Sequence, residues 1–232
     1  MHLTARLKTV AKLAGQCEVL ADIGTDHCHV PIYLLTRGEI SKAVASDINE
    51  GPLQAAKDTV QRYGFLKEVS IRLGNGMESL KESDNVDAVV IAGMGGETIC
   101  SILDNKPAFL DNSCRYILQP MTDVPLVRKW LCQHGHEVID EDIAKEGNRY
   151  YKVLTAQKKP QVDGLTEVEL EFGPKLLKKK HPLLKEYINK RRIKNKEVLS
   201  NIQKSANQKI KETKTVELIK ERKLIEEVLK WL

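Results

Sequence analysis

Three ionisable side chains crowd one short segment, Asp22-Ile23-Gly24-Thr25-Asp26-His27. The residues before it, Cys17-Glu18-Val19-Leu20-Ala21, form a short apolar run of the kind a buried strand uses. The stretch 29–37 after it suits a helix, because Pro31 is tolerated in a first turn. The acids therefore sit on a strand-to-helix turn. Carboxylates there attract a positively charged ligand and repel an anion. Three charged groups at one strand end are costly to bury without a task. The plain alternative is that Asp22 merely caps the next helix. Gly24 lets the backbone pass close to a ligand. The glycine pattern GxGxxG is incomplete and no GK[ST] is present, which disfavours a dinucleotide or triphosphate grip.

Further strand ends add to this set. Asp47 closes a second apolar run, 43–47, and a carboxylate there can accept both hydroxyls of a ribose. Gly74-Asn75-Gly76-Met77 follows a third run, 69–73. It offers backbone donors and a thioether suited to the edge and face of an adenine, or else a plain Asn-Gly turn. Ala92-Gly93-Met94-Gly95-Gly96 follows the most apolar run, 86–92, and leaves room for a second, bulky reactant. No side chain in it is a nucleophile. Gln119-Pro120-Met121 ends a fifth run, where the amide can meet a base edge or simply close a turn.

These turns need a frame. Helical spacing marks 3–13, 51–63, 97–103 and 123–134, with Asp123 as N-cap of the last. The segments 137–144 and 149–155 alternate like an antiparallel hairpin. Strand–helix alternation through five units implies an α/β fold, a mostly parallel sheet with helices on both faces. Ligands of such sheets bind beyond the carboxyl ends of the strands, near the switch in strand order. A domain is expected over 1–158. After a Pro- and Gly-containing stretch, 159–232 is lysine-rich and helical in pattern. Leu183, Leu184, Tyr187, Ile188, Ile193, Val198, Leu199, Ile202, Ala206 and Ile210 form one stripe. Val216, Leu218, Ile219, Leu224, Ile225, Val228, Leu229 and Leu232 form another, with a turn expected at 211–214. Two helices folded back on each other would hide both stripes, giving a monomer; a dimer of long helices is the alternative. His181-Pro182 is expected to end a helix begun near Glu167.

Composition narrows the class. The 232 residues, 41% hydrophobic and 30% charged, can bury a core and are not disordered as a whole. Through residue 156 the chain carries 17 Lys+Arg against 21 Asp+Glu, and after it 20 against 11. An acidic body with a basic tail of net +9 points to a polyanionic partner, although a solvated lysine-rich face has the same composition. Five scattered cysteines without a CxxC pair fit free thiols in a reducing cytoplasm, and no metal site is expected. No apolar run is long enough for a membrane span and no signal peptide is visible. His134 and His136 flank Gly135 in what reads as a turn, and Trp130 and Trp231 read as core residues. GxSxG, HExxH and a Ser–His–Asp set are absent.

The runs VLADIGTDHCHVPIYL, ASDIN, LGNGM, VVIAGMGG and ILQPM, in this order and spacing, resemble the bacterial tRNA (adenine-N1)-methyltransferases that act on adenine 22. The likeness spans about residues 3–156, and the tail agrees in length and helical character. It implies a Rossmann-like class I methyltransferase fold with a seven-stranded sheet and a C-terminal helical hairpin or coiled coil. It implies S-adenosylmethionine (SAM) as cofactor and tRNA as partner. Asp22, Gly24, Asp26, His27, Asp47, Asn75, Gly76, Gly93 and Met94 would lie around SAM, with Ile48 and Met77 beside them. Asp26 and His27 would serve catalysis, while Arg6, Gly95, Gln119 and Pro120 would face the substrate. His29 departs from the family pattern, where an aromatic or small apolar residue is expected. Three competing readings remain: a SAM methyltransferase of another substrate, a non-catalytic RNA-binding Rossmann-like protein, and a nicotinamide oxidoreductase weakened by the missing glycines.

Overall fold

The computed structural model describes the backbone of residues 1–110, 114–203 and 208–232, and the side chains of these residues except 203 and 208–213. Helix α1 (Ala5–Ala14) opens the chain, with the Thr4 hydroxyl accepting the Leu7 N–H at its start. Strands β1 (Val19–Ile23), β2 (Lys42–Asp47) and β3 (Val69–Leu73) alternate with α2 (His29–Thr36) and α3 (Glu50–Tyr63). Strand β4 (Ala88–Met94), α4 (Gly96–Asp104), β5 (Arg115–Pro120) and α5 (Val124–Gln133) follow. Strands β6 (His136–Glu146) and β7 (Arg149–Lys158) form the hairpin.

Together the strands make one seven-stranded sheet in the order β3-β2-β1-β4-β5-β7-β6. Pairing is parallel from β3 to β5 and antiparallel where β7 meets β5 and β6. Apolar side chains cover both faces of the central strands. Ile23, Val89, Ile91 and Leu118 pack with α4 and α5 residues such as Ile99, Leu103 and Leu131. Leu20, Ala45, Val90 and Ile117 pack with Val10, Ile32 and Val60 from the opposite layer. Two covered faces explain why these strands are apolar throughout rather than alternating. Strand order reverses between β1 and β4, which pair with each other although two other strands separate them in sequence. A crevice opens at such a reversal, beyond the strands' carboxyl ends.

Residues Met1–Gly164 form one compact unit and Leu165–Leu232 a second, so the division falls a few residues after the expected 158/159 boundary. Lys159 explains part of that shift, because its N–H donates to Gly135 O at 3.0 Å and keeps the chain on the first unit. The second unit holds α6 (Glu167–Phe172), α7 (Pro174–Lys178), α8 (Pro182–Gln203) and α9 (Gln208–Leu229). The helix begun at Glu167 stops at Gly173, well before His181-Pro182, and Pro182 opens α8 instead of closing anything. Helices α8 and α9 run antiparallel. Asn195 Nδ2 donates to Leu218 O at 2.9 Å, and Arg191 Nε donates to Glu221 Oε1 at 2.8 Å. Leu184, Ile188, Ile225 and Val228 are buried.

Several expectations for this tail need correction. Residues 211–214 are helical, inside α9, while α8 ends at Gln203 and residues 204–207 lie outside the described residues. Lysine and glutamate are good helix formers, so nothing at 211–214 stops the helix. Ile193, Val216 and Ile219 are exposed, and so is Trp231, at 54%, one residue from the chain's last. The expected stripe residues Ala206 and Ile210 fall outside the described side chains. Trp130, by contrast, lies in the core with its Nε1 donating to Asp104 Oδ1 at 2.7 Å.

Candidate active site

Asp22 is the penultimate residue of β1, in register with Ala45 of β2 and Val90 of β4. Its carboxylate is buried, and the Thr25 hydroxyl donates to Oδ2 at 2.7 Å. That hydroxyl also accepts the Cys28 N–H at 3.1 Å, while the Gly24 and Thr25 N–H groups donate to Ser46 O at 2.8 and 2.9 Å. The turn is thereby stitched to the end of β2. Burial pushes the Asp22 carboxyl up to about 6; the nearby Asp47 charge pushes the same way and the Thr25 bond opposes. Asp22 does not cap α2: the N-cap residue is Cys28, in left-handed backbone with no side-chain cap bond. Thr25 was not singled out from sequence, yet a hydroxyl three residues after the acid is the available signal.

Asp26 and His27 stand at the solvent edge. Asp26 is 82% exposed and its Oδ2 lies 3.7 Å from His27 Nε2. The His27 ring stacks on His29, centroids 5.1 Å apart. Desolvation first, and His27 second, lower the pKa of His29. His29 thus fills the place of the expected aromatic or apolar residue with a ring held in a stack.

On the far side, β4 ends in a bulge. Its register with β5 shifts between Ala92 and Met94, and Gly93 between them has φ +85°. Only glycine adopts that conformation without strain, and the bulge turns the strand end outward. A Cβ on Gly93 would lie 3.4 Å from Arg6 Nη1, so α1 reaches over this bend. The Met94 methyl rests where a Cβ on Gly24 would be, 2.0 Å from that position. Arg6, Asp22, Gly24, Asp26, His27, Gly93 and Met94 line one cavity of about 380 Å³, with Thr25 and His29 among its other walls.

The remaining expected residues stand at neighbouring strand ends, outside that lining. Asp47 is half-buried; Oδ1 accepts the Asn49 N–H at 2.7 Å and its backbone oxygen accepts the Gly74 N–H at 3.0 Å. Ile48 and Asn75 are exposed and Gly76 begins a short 3-10 turn against Ile102 of α4. Met77 corrects the expectation for its thioether: it is buried among Leu80, Val86 and other core residues and offers no face to a ligand. The room expected around the second glycine pair is also partly filled. A Cβ on Gly96 would meet Asp123 O at 2.7 Å, and one on Gly95 would meet Thr122 Oγ1 at 3.3 Å. Asp123 occupies the N-cap position of α5 in left-handed backbone and makes no capping bond. Gln119 and Pro120 are buried at the end of β5. The Gln119 amide is engaged inside the protein, with Oε1 accepting from Arg6 Nη1 at 2.9 Å and Nε2 donating to Pro120 O at 3.0 Å, so it presents no edge to a base. Among the described residues no group of three or more His, Cys, Asp or Glu is placed to hold a metal.

A mostly parallel seven-stranded sheet with an antiparallel hairpin at one edge, and acids at the tips of β1 and β2 beside a glycine-rich β4 end, define the Rossmann-like methyltransferase class. The family model described as tRNA (adenine(22)-N(1))-methyltransferase matches residues 20–224. The tRNA (adenine(22)-N(1))-methyltransferase of Bacillus subtilis is 32% identical over 99% of this chain and 98% of its own. Among solved structures, Streptococcus pneumoniae Sp1610 in complex with S-adenosyl-L-methionine superposes with a TM-score of 0.86 at 32% identity, covering 98% of this chain and 100% of that one. M. capricolum TrmK with S-adenosyl-homocysteine gives 0.82 at 32% identity, over 97% and 99%. The chain belongs to the TrmK family of tRNA (adenine(22)-N(1))-methyltransferases.

Proposed function

We propose that this chain transfers a methyl group from SAM to N1 of adenine 22 in tRNA, using the carboxyl ends of β1 to β4. The observation that carries the reading is the buried Asp22 carboxylate at the strand-order reversal, which faces an open cavity and has a hydroxyl, not a cation, as its partner. Such a donor set fits a ligand bearing a sulfonium. Asp47 would hold the ribose hydroxyls, and the turn at exposed Asn75 and half-buried Gly76 would meet the adenine of the same molecule. Gly24, Gly93 and Met94 would border its amino-acid portion, with Ile48 at the rim.

SAM supplies an electrophilic methyl group. The protein's part is positioning. Neutral adenine already carries a lone pair on N1, so no residue has to remove a proton before transfer. A nucleotide turned out of its helix would enter beside Gly93 and Gly95. There Asp26, exposed and on the cavity wall, accepts a hydrogen bond from the exocyclic amine, and His27 holds Asp26 in place. Holding N1 in line with the methyl carbon, in a site whose charges need not reorganise, is the source of rate. The basic tail grips the tRNA backbone. The enzyme works as a cytoplasmic monomer: its five cysteines are thiols, no helix among the described residues is long and apolar enough to cross a membrane, and Leu184, Ile188, Ile225 and Val228 of α8 and α9 are buried within one chain.

Mass-spectrometric mapping of nucleosides after reaction with unmodified tRNA tests this. N1-methyladenosine at position 22, and nowhere else, is the expected result; labelled methyl groups absent from tRNA would return the function to another substrate.

A further inference from the structure

The Arg6 guanidinium is fixed in place without losing its charge. Nη1 donates to Gln119 Oε1 at 2.9 Å, and the guanidinium carbon lies 5.9 Å from the centre of the Tyr151 ring. The Arg6 backbone N–H donates to Glu146 Oε1 at 2.6 Å, tying the start of α1 to the end of β6. That bond is the chief reason the Glu146 carboxyl lies below its ordinary range. Gln119 is wholly buried, and its Nε2 contacts with Pro120 O at 3.0 Å and Met121 Sδ at 3.6 Å set which end of the amide faces Arg6. An amide oxygen orients a guanidinium as a carboxylate would without adding a negative charge of its own, and the Glu146 carboxyl acts on the Arg6 charge only through space. One of five N–H donors is engaged by Gln119, and the residue lines the same cavity as the Asp22 turn. The rest of the fork matches a planar or tetrahedral oxyanion.

We propose that Arg6 is an oxyanion-binding residue of this site and that Gln119 is a positioning residue acting through it. The proposal rests on the donor-and-tRNA reading above. The reactants offer that chemistry from two sources, the α-carboxylate of the methyl donor and a phosphate beside the target adenosine. Gln119 therefore serves the reaction from inside the protein, without touching a base.

The test is calorimetry with S-adenosylhomocysteine and with 5′-methylthioadenosine, which lacks the amino-acid portion, together with tRNA binding across a salt series. The proteins are wild type, Arg6→Ala, Arg6→Lys, Gln119→Leu and Gln119→Glu. If the carboxylate is bound, Arg6→Ala loses about tenfold in affinity for S-adenosylhomocysteine, the size of one charge-assisted contact, and none for 5′-methylthioadenosine. If the phosphate is bound, both small ligands bind as before. The tRNA affinity then falls, and its log–log salt slope becomes shallower by about 0.7–0.9. Arg6→Lys recovers part of the loss. Gln119→Glu supplies an acceptor but cancels the charge, so it shows the Arg6→Ala pattern on the same ligand, as does Gln119→Leu. Unchanged affinity for all three ligands in Arg6→Ala overturns the proposal. A loss in Arg6→Ala that neither folded Gln119 variant shares overturns the positioning role. A wild-type chain with no affinity for S-adenosylhomocysteine would instead sink the donor assignment and the proposal with it.

Discussion

Asp22 is an acid whose ionisation is opposed by its burial. Its carboxyl ionises at about 6 in the folded chain against 3.8 for the ordinary group. Because the folded value is raised, the associated stability is fully present below about pH 4 and is lost as pH rises through about 6. The ligand-free protein should therefore lose stability across that window relative to Asp22→Asn, which denaturant unfolding at pH 4.5 and 7 would reveal. A bound cation reverses the preference, since it favours the ionised acid. SAM affinity is expected to rise roughly tenfold through this range in the wild type, the size of one charged contact, and to stay flat in Asp22→Asn. Asp47 is a simpler case, half-buried with the Asn49 N–H on Oδ1 of its carboxylate. Replacing it by Ala should cost about 1–2 kcal/mol of SAM affinity. Calorimetry returning the wild-type value would remove Asp47 from the ribose.

At the scale of elements, the site depends on how closely helix starts approach strand ends. Gly96 lets α4 begin against the backbone that leads into α5: its missing Cβ would lie 2.7 Å from Asp123 O and 2.9 Å from Asp123 Cβ. Neither is the far end of a flexible side chain, so Gly96→Ala must displace one helix start. Thermal unfolding should show a loss of about 1–3 kcal/mol, with activity reduced further because the adjoining Gly93 bulge moves. The β6–β7 hairpin has a second duty besides closing the sheet edge. It delivers Glu146 and Tyr151 to Arg6, so the antiparallel addition supports a residue of α1 that lines the cavity. In the tail, Arg191 plays a comparable part, pairing with Glu171 of α6 and Glu221 of α9 beside Asn195. A mostly buried polar cluster of this kind fixes which faces of the helices meet.

For the whole molecule, charge is divided between two compact units, an acidic one that holds the cavity and a basic one made of helices. Non-specific RNA affinity should follow the basic unit. Neutralising about five phosphates gives a log affinity that falls with log salt at a slope of about −3.5 to −4.5. A chain ending at Gly164 is expected to keep S-adenosylhomocysteine affinity and to lose most of its tRNA affinity together with that slope. Filter binding that returns equal tRNA affinity for the two chains would take the tail out of RNA recognition.

The sequence by itself determined the element order, the parallel sheet with its terminal hairpin, and the turns that carry the acids. These follow from local signals: apolar runs bounded by glycine and acid, helical spacing, and two alternating segments close in sequence. It also put Asp22, Gly24, Asp26, His27, Gly93 and Met94 at strand ends, while their gathering around one ligand was implied by the family resemblance and the pairing of β1 with β4 is a fact of the tertiary structure. Tertiary structure alone decided where side chains went once they arrived. Met77 reads as a ligand contact but is pulled into the core, because a thioether after β3 finds apolar partners below the turn. Arg128, within α5, is buried and its Nε donates to Glu141 Oε1 of β6 at 2.8 Å, a partner that no spacing within α5 announces. Gln119 reads as a base-edge amide, and only the approach of α1, 113 residues away in sequence, turns it into the support of Arg6. Periodicity records which face a residue occupies; the partner waiting there is set by contacts between segments far apart in the chain, which no local pattern encodes.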